Sequence, residues 1–547
     1  MLLSGSASVS GSVSKNFVGV PHDFASGFDY DADTDTDFYC KSKNNLLIVT
    51  KMNYIQARDF FYFALFLSLP LKLILAGTLP LTGDEAYFVI WAQHPAPGYY
   101  DHPPLIGWLI HLCMYISGHE ILVRLPSILA SYVLVWGVYR ILSDHDRTKA
   151  LLAASTLLLT PVFLLGVLVT TDTALILSMF LSVLALHRAE TRNSNLLYIL
   201  SGILLGLAFL SKYFAALLLL AYILYFLTGG LKKLPRLGLV LLGCLPLVAF
   251  NLYWNYTHCW VNIMFNFIGR GGDAELSPMQ PLILLGMLAW VVSPVLLVQL
   301  FRHRSQVLSR IRSSGQGLFA FAALVPLAVF FAASLFYSVG AHWILGFVPF
   351  LYVIYAALPG KSLILGRKFM LGYALLHIVL VAAALLVPLE IIKERSGLYR
   401  DAVFYLRPAQ VAEKLDSYRA DYYATPSYSR SAVLSYYSSH YWGVLGTGSR
   451  YGREDDRITD FRELDGRDIL FLSRDDDLDK DRLSPYFEFL EPSRIQIRET
   501  SFAVALGRGF DYSSYQSQVL AQIKKRHYDI PEFLPLGRCF FHERYFQ

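Results

Sequence analysis

The stretch LTGDEAYFVIWAQHPAPGYYDHPPLIGW, Leu81 to Trp108, follows a long apolar run and opens on an acidic pair, Asp84 and Glu85. A second polar cluster, Tyr99-Tyr100-Asp101-His102-Pro103-Pro104, comes after a loop broken by Pro and Gly. An ionised carboxylate against hydrocarbon costs several kcal/mol unless a pocket, a partner or water holds it. A loop that keeps such groups at the mouth of an apolar helix is therefore the candidate reaction centre. Working outward, the 547-residue chain is 55% hydrophobic and 16% charged, too apolar for an ordinary soluble protein. Its apolar residues fall in blocks of roughly 17 to 23, the length a helix needs to cross ~30 Å of hydrocarbon. Helices are implied, because backbone groups in lipid must be satisfied within their own segment.

Such blocks lie at about 60–80, 121–142, 150–169, 173–187, 196–211, 213–228, 237–255, 280–301, 318–337, 343–358 and 369–388, or about eleven transmembrane helices by length. The expected fold is a polytopic α-helical membrane protein spanning 56–390, with outer loops 81–120 and 256–279, followed by a soluble α/β domain over 391–547. Strand-like runs at 421–428, 442–447, 468–473 and 495–506 alternate with helical patterns at 408–418, 431–438 and 515–526. Residues 1–55 are rich in Ser, Gly and Asp and read as a disordered cytosolic tail, or as sequence upstream of a true start at Met52.

The net charge of +5 does not indicate nucleic acid, because Lys and Arg are dispersed in short loops between apolar blocks. One set of loops holds Arg147, Lys149, Arg188, Arg192, Lys232, Lys233, Arg236 and others as far as Lys368. The alternate set holds only Lys212 and Arg270. The positive-inside rule puts the rich set and the N-terminus in the cytosol, and the Asp84 loop and the C-terminal domain outside. The five cysteines show no CxxC or metal-site spacing. A Cys113–Cys259 bridge on the outer side is one reading, and unpaired buried thiols are the favoured one.

The outer loops carry the chemistry. Asp84 is suited to act as a general base towards a hydroxyl, and equally to cap a short helix with Glu85 in its first turn. Asp101 and His102, with Tyr100 beside them, end an extended turn before a Pro-started helix. They are read either as a capped surface helix or as a substrate-binding edge for phosphate or a divalent metal. Asp172, in Thr170-Thr171-Asp172-Thr173, is a helix cap or a second carboxylate at the cavity. Lys212 lies between two apolar runs, so it must snorkel or pair, and its ammonium is suited to hold a phosphate. Arg270, in a glycine-rich loop, and His342, beside Trp343, are the other cationic candidates on that side. Charges of both signs above a helical membrane domain suit a donor with a lipid tail and a phosphate head. No phosphate-cradling glycine motif for ATP or dinucleotides is present.

These residues resemble a family. GDEAYFVIWAQHPAPGYYDHPPLIGWLI is similar to the first outer loop of the GT-C membrane glycosyltransferases, in the branch of protein O-mannosyltransferases, aminoarabinose transferases and lipid A galacturonosyl transferases. TTDTALIL, GLAFLSKYFAALLL and AHWILGFVPFLY extend the resemblance over roughly 58 to 390. SYYSSHYWGVLGTGSRYG and LPLGRCFFHERYF look like the periplasmic tail of bacterial members. The resemblance implies an inverting glycosyltransferase of the bacterial inner membrane, moving a sugar from a polyprenyl-phosphate donor to lipid A, a glycan or a protein. It makes Asp84 the catalytic carboxylate, Glu85 its neighbour in the motif, and Asp172 the acidic residue of the third-to-fourth span turn. Where aminoarabinose transferases have Glu-Lys ahead of Pro-Pro, this chain has Asp101-His102, so the donor phosphate is expected to meet Lys212 or Arg270 instead. Some relatives bind a divalent metal. The alternative from another class is a polytopic lipid or solute transporter of the cell envelope.

Overall fold

In the computed structural model, residues 52–268, 276–473 and 478–547 are described. The first helix, Tyr54–Thr78, starts at a reciprocal cap in which Asn53 and Gln56 each accept from the other's backbone N–H. Among the described residues, six helices are long and apolar enough to cross a membrane: Tyr54–Thr78, Leu125–Leu142, Thr171–Arg192, Leu231–Thr257, Gly317–Ser334 and Gly360–Leu386. A seventh is reached if Met279–Val292 and Pro294–Arg302, bent by 103°, count as one.

Several of the expected blocks form shorter or broken helices. The expected span 150–169 stops at Leu158; Thr160 then caps a short helix, Pro161–Leu165, and 166–170 is not helical. At 280–301 the break falls on Ser293-Pro294, where Pro cannot continue the preceding ladder. Asn195–Phe209, Ala215–Thr228 and Ala341–Tyr355 are apolar but shorter than the span length. Unwound backbone inside a membrane domain needs a partner. Lys72, buried in the first helix, supplies one: its Nζ donates to the Gly166 carbonyl at 2.9 Å and to Ser131 Oγ at 2.8 Å.

Beyond Pro388 the chain builds a five-stranded sheet: β1 Tyr422–Thr425, β2 Trp442–Val444, β3 Ile469–Leu472, β4 Phe487–Ile497 and β5 Thr500–Phe510. The order is β2-β1-β3-β5-β4, with β1 parallel to both β2 and β3, and β5 antiparallel to both β3 and β4. The single strand expected over 495–506 is a hairpin that turns at Arg498, a residue at φ 53° with none of the glycine or asparagine that marks such turns.

The sheet does not keep its core to itself. Ala86, Val89 and Trp91 of the helix Gly83–Gln93 belong to one apolar cluster with Val403, Val433, Leu470 and Val504. Close approach fixes this seam: a Cβ on Gly83 would lie 1.7 Å from Ser429 Oγ.

The favoured reading of unpaired thiols is overturned. Cys259 is bonded to Cys539, while Cys113 and Cys244 are free. The pair is separated by 280 residues, so no local spacing announced it. Cys259 N–H donates to the Arg538 carbonyl at 2.9 Å and Trp260 Nε1 to the Pro535 carbonyl at 2.8 Å, which aligns the two segments for the bridge. Closing so long a loop restricts the unfolded chain, so Cys539→Ser is expected to lower stability by about 2–4 kcal/mol. Thermal unfolding of the purified variant in detergent, with and without reductant, measures it.

Candidate active site

The helix Gly83–Gln93 begins at a capping box: Thr82 Oγ1 accepts from Glu85 N–H at 3.3 Å, and Glu85 Oε2 accepts from Thr82 N–H at 3.0 Å. The box separates the two adjacent carboxylates, because successive helical residues point about 100° apart. Asp84 is exposed and lines a cavity of about 920 Å³. Glu85 is fully buried and does not line it. Its carboxylate takes Arg124 Nε and Nη2, both at 2.8 Å, together with the Val169 N–H at 3.1 Å. Arg124 gives its remaining donors to the carbonyls of Ala76, Leu79 and Pro80. Every donor of the guanidinium is thus used to join the end of the first helix to the start of the helix Gly83–Gln93.

The cavity brings together six of the residues singled out in the sequence: Asp84, Asp101, His102, Asp172, Lys212 and His342. Its apolar wall includes Leu75, Leu134, Val162, Leu165 and Val381, and its volume is that of a site for a large ligand. Asp172 sits in the first turn of Thr171–Arg192 and Lys212 in the turn between two short apolar helices. Both are buried, and Lys212 Nζ donates to both Asp172 oxygens, at 2.9 and 3.0 Å. Of the two choices open to Lys212, pairing is the one taken.

Asp101 is also buried. Tyr87 Oη donates to its Oδ2 at 2.8 Å and Gly452 N–H to its Oδ1 at 3.1 Å. Burial, reinforced by the charges of Asp101 and Glu454, pushes the Tyr87 phenol far above its ordinary pKa, so it stays a donor. Tyr100 turns away from the cavity: its ring packs on Phe265 and Tyr528 and its N–H donates to Glu454 at 2.8 Å. Arg270 lies outside the described residues. Among the described residues no three His, Cys, Asp or Glu side chains, Asp101 and His102 included, gather at metal-binding range. The Asp101 carboxylate is engaged by Tyr87 and Gly452.

Two solved structures of ArnT from Cupriavidus metallidurans, apo and bound to undecaprenyl phosphate, superpose with TM-scores of 0.56 and 0.57. Sequence identity is 14%, over 82% of this chain and 98% of theirs. The fold is that of these two ArnT structures. The model of the dolichyl-phosphate-mannose-protein mannosyltransferase family matches residues 101–254, which carry Asp101, His102, Asp172 and Lys212 of the cavity. Lipid A galacturonosyltransferase RgtD of Rhizobium johnstonii is 29% identical over 191 residues, 32% of this chain and 38% of that enzyme's length.

Three further lining residues of this cavity come from the sheet-bearing part: Tyr428, Tyr451 and Gly452. Tyr428 Oη donates to Asp84 Oδ1 at 2.9 Å. Burial first, and then the Asp84 charge and hydrogen bond, push its phenol well up, so it remains protonated beside the carboxylate. Sequence reasoning passed over Tyr428. Tyr451 and Gly452 end the stretch SYYSSHYWGVLGTGSRYG, whose glycines at 446, 448 and 452 take positive φ. Arg124, in ILVRLPS, was missed as well, although a lone arginine at the start of an apolar block is the kind of charge that needs a partner.

Proposed function

We propose that the protein is a glycosyltransferase that moves a sugar from a polyprenyl-phosphate donor to a hydroxyl- or phosphate-bearing acceptor, with inversion at the anomeric carbon. One observation carries the reading: a single large cavity with an apolar wall holds an exposed carboxylate, Asp84, together with the buried pair Asp172 and Lys212. The acceptor oxygen attacks the anomeric carbon and gives its proton to Asp84, which Tyr428 orients. The bond from that carbon to the phosphate oxygen breaks, and polyprenyl phosphate leaves with the electron pair. Lys212, with His342 in the lining of the same cavity, offsets the charge that grows on the leaving phosphate. Undecaprenyl phosphate in the ArnT structure and the lipid A activity in the name of RgtD support a lipid phosphate donor and a lipid A acceptor.

The reaction face is the periplasmic side of a bacterial inner membrane, with the N-terminus cytosolic. The positive-inside pattern favours this orientation. So does the Cys259–Cys539 bond, because disulfides persist in oxidising compartments. The same comparisons support this reading over the transporter alternative.

The test is reconstitution in nanodiscs with a synthetic polyprenyl-phosphate sugar and lipid A, read as a mass shift of the acceptor and release of polyprenyl phosphate. No mass shift on lipid A, core glycan or protein acceptors would refute transfer. In the same assay Lys212→Met is expected to cost about 1.5–3 kcal/mol of transition-state binding, roughly a 10- to 150-fold fall in kcat/KM. Lys212→Arg should recover part of that loss by restoring the positive charge beside Asp172.

A further inference from the structure

The segment Pro531-Glu532-Phe533-Leu534-Pro535-Leu536 carries two large apolar side chains turned off the protein: Phe533 is 76% exposed and Leu536 85%. Nothing in the proposed transfer uses them. Their place in the fold is fixed from behind. The bond Cys259–Cys539, the Trp260 Nε1 bond to the Pro535 carbonyl and the Cys259 N–H bond to the Arg538 carbonyl pin this segment to the end of the helix Leu234–Thr257. The approach is close: a Cβ on Gly537 would lie 1.8 Å from the Tyr256 carbonyl oxygen.

That helix crosses the membrane. Its 24 residues make a rod of about 36 Å, with Lys232, Lys233 and Arg236 at one end and Tyr253, Trp254, Tyr256 and, just past it, Trp260 at the other. Aromatic residues gather where hydrocarbon meets headgroups. Leu242, Leu245, Leu252 and Tyr253 are exposed along the rod and form its lipid-facing side, leading up to the point where 531–537 is fastened.

We propose that the segment 531–537 is a membrane anchor, with Phe533 and Leu536 entering the headgroup and upper acyl region of the phospholipid bilayer beside that helix. The surface is continuous with the lipid-facing side of the span, so lipid is the occupant its position selects. Two prolines suit the task, because they bring no N–H that would need a partner at the membrane surface. The anchor ties the C-terminal end to the bilayer. Through the disulfide it also steadies the loop whose Asn262 and Asn266 donate to the Tyr99 and Asp101 carbonyls.

The test is fluorescence of Leu536→Trp and, separately, Phe533→Trp in nanodiscs of phosphatidylglycerol and phosphatidylcholine, read against the native protein with its eight tryptophans. The added emission is expected to be blue-shifted and to lose most of its intensity when the acyl chains carry bromine close to the headgroup. Two results overturn the proposal: a red, unquenched emission, which reports water, or a blue emission that bromine leaves untouched, which reports cover by protein such as a second copy. The readout needs no activity, so it stands or falls apart from the proposed transfer.

Discussion

Asp84→Asn is expected to lower kcat of sugar transfer by roughly 10²- to 10⁴-fold, the usual worth of a positioned general base. The unfolding temperature should stay within a degree or two of the native value, the small change expected for an exposed position away from buried networks. The separation of the two effects follows from the geometry. Asp84 is exposed to the cavity and its Oδ1 accepts a hydrogen bond from Tyr428, so an amide of the same size keeps the shape and can still accept that bond. What the amide loses is basicity towards the acceptor hydroxyl. The measurement is single-turnover transfer with saturating donor, paired with thermal unfolding in the same detergent. Activity within a few-fold of native would remove Asp84 from the role of base; a large drop in unfolding temperature would make it a structural residue instead. Tyr428→Phe should produce a milder loss than Asp84→Asn, since it removes the orienting hydrogen bond and leaves the base.

The sequence made this cavity partly legible because a membrane makes charge conspicuous. Lys212 between two apolar runs, Asp172 at a turn and His342 beside Trp343 each stood out against a background that excludes them, and all three line the same cavity as Asp84. What stayed hidden depends on distance along the chain or on a rotation of one residue. Asp84 and Glu85 are indistinguishable as letters, yet one step of helix sends the first to the cavity and the second to Arg124, 39 residues away. Tyr428 reaches Asp84 across 344 residues and Cys539 reaches Cys259 across 280. Counting apolar residues hid the breaks within the blocks for a related reason. Composition registers the blocks 150–169 and 280–301, but Thr160-Pro161 and Ser293-Pro294 cut them into pieces that turn. The breaks serve the site, since the unwound 166–170 leads into the turn that carries Asp172 and is held from one side by Lys72 and from the other by Glu85.

Glu85→Ala is expected to destabilise the fold by about 3–5 kcal/mol, the cost of leaving one partner of a buried ion pair alone. Both members are wholly buried, with Arg124 Nη2 and Glu85 Oε2 at 2.8 Å. Removing the carboxylate strands two guanidinium donors, the Thr82 N–H and the Val169 N–H together. Loss of the capping box also frees the start of the helix that presents Asp84. Activity should therefore fall with stability, and a charge-only account can be separated from catalysis by a second substitution. Arg124→Met alone orphans Glu85 and should cost a similar amount. The double variant Glu85→Leu with Arg124→Met removes both charges and should regain part of the loss, because an apolar pair of like volume carries no desolvation penalty. A catalytic Glu85 gives a different pattern: Glu85→Gln would lose turnover without loss of unfolding temperature, and the double variant would fold well and remain inactive to the same depth as Asp84→Asn. Unfolding curves and single-turnover rates on these four proteins decide between a carboxylate that reacts and one that holds the reacting carboxylate in place.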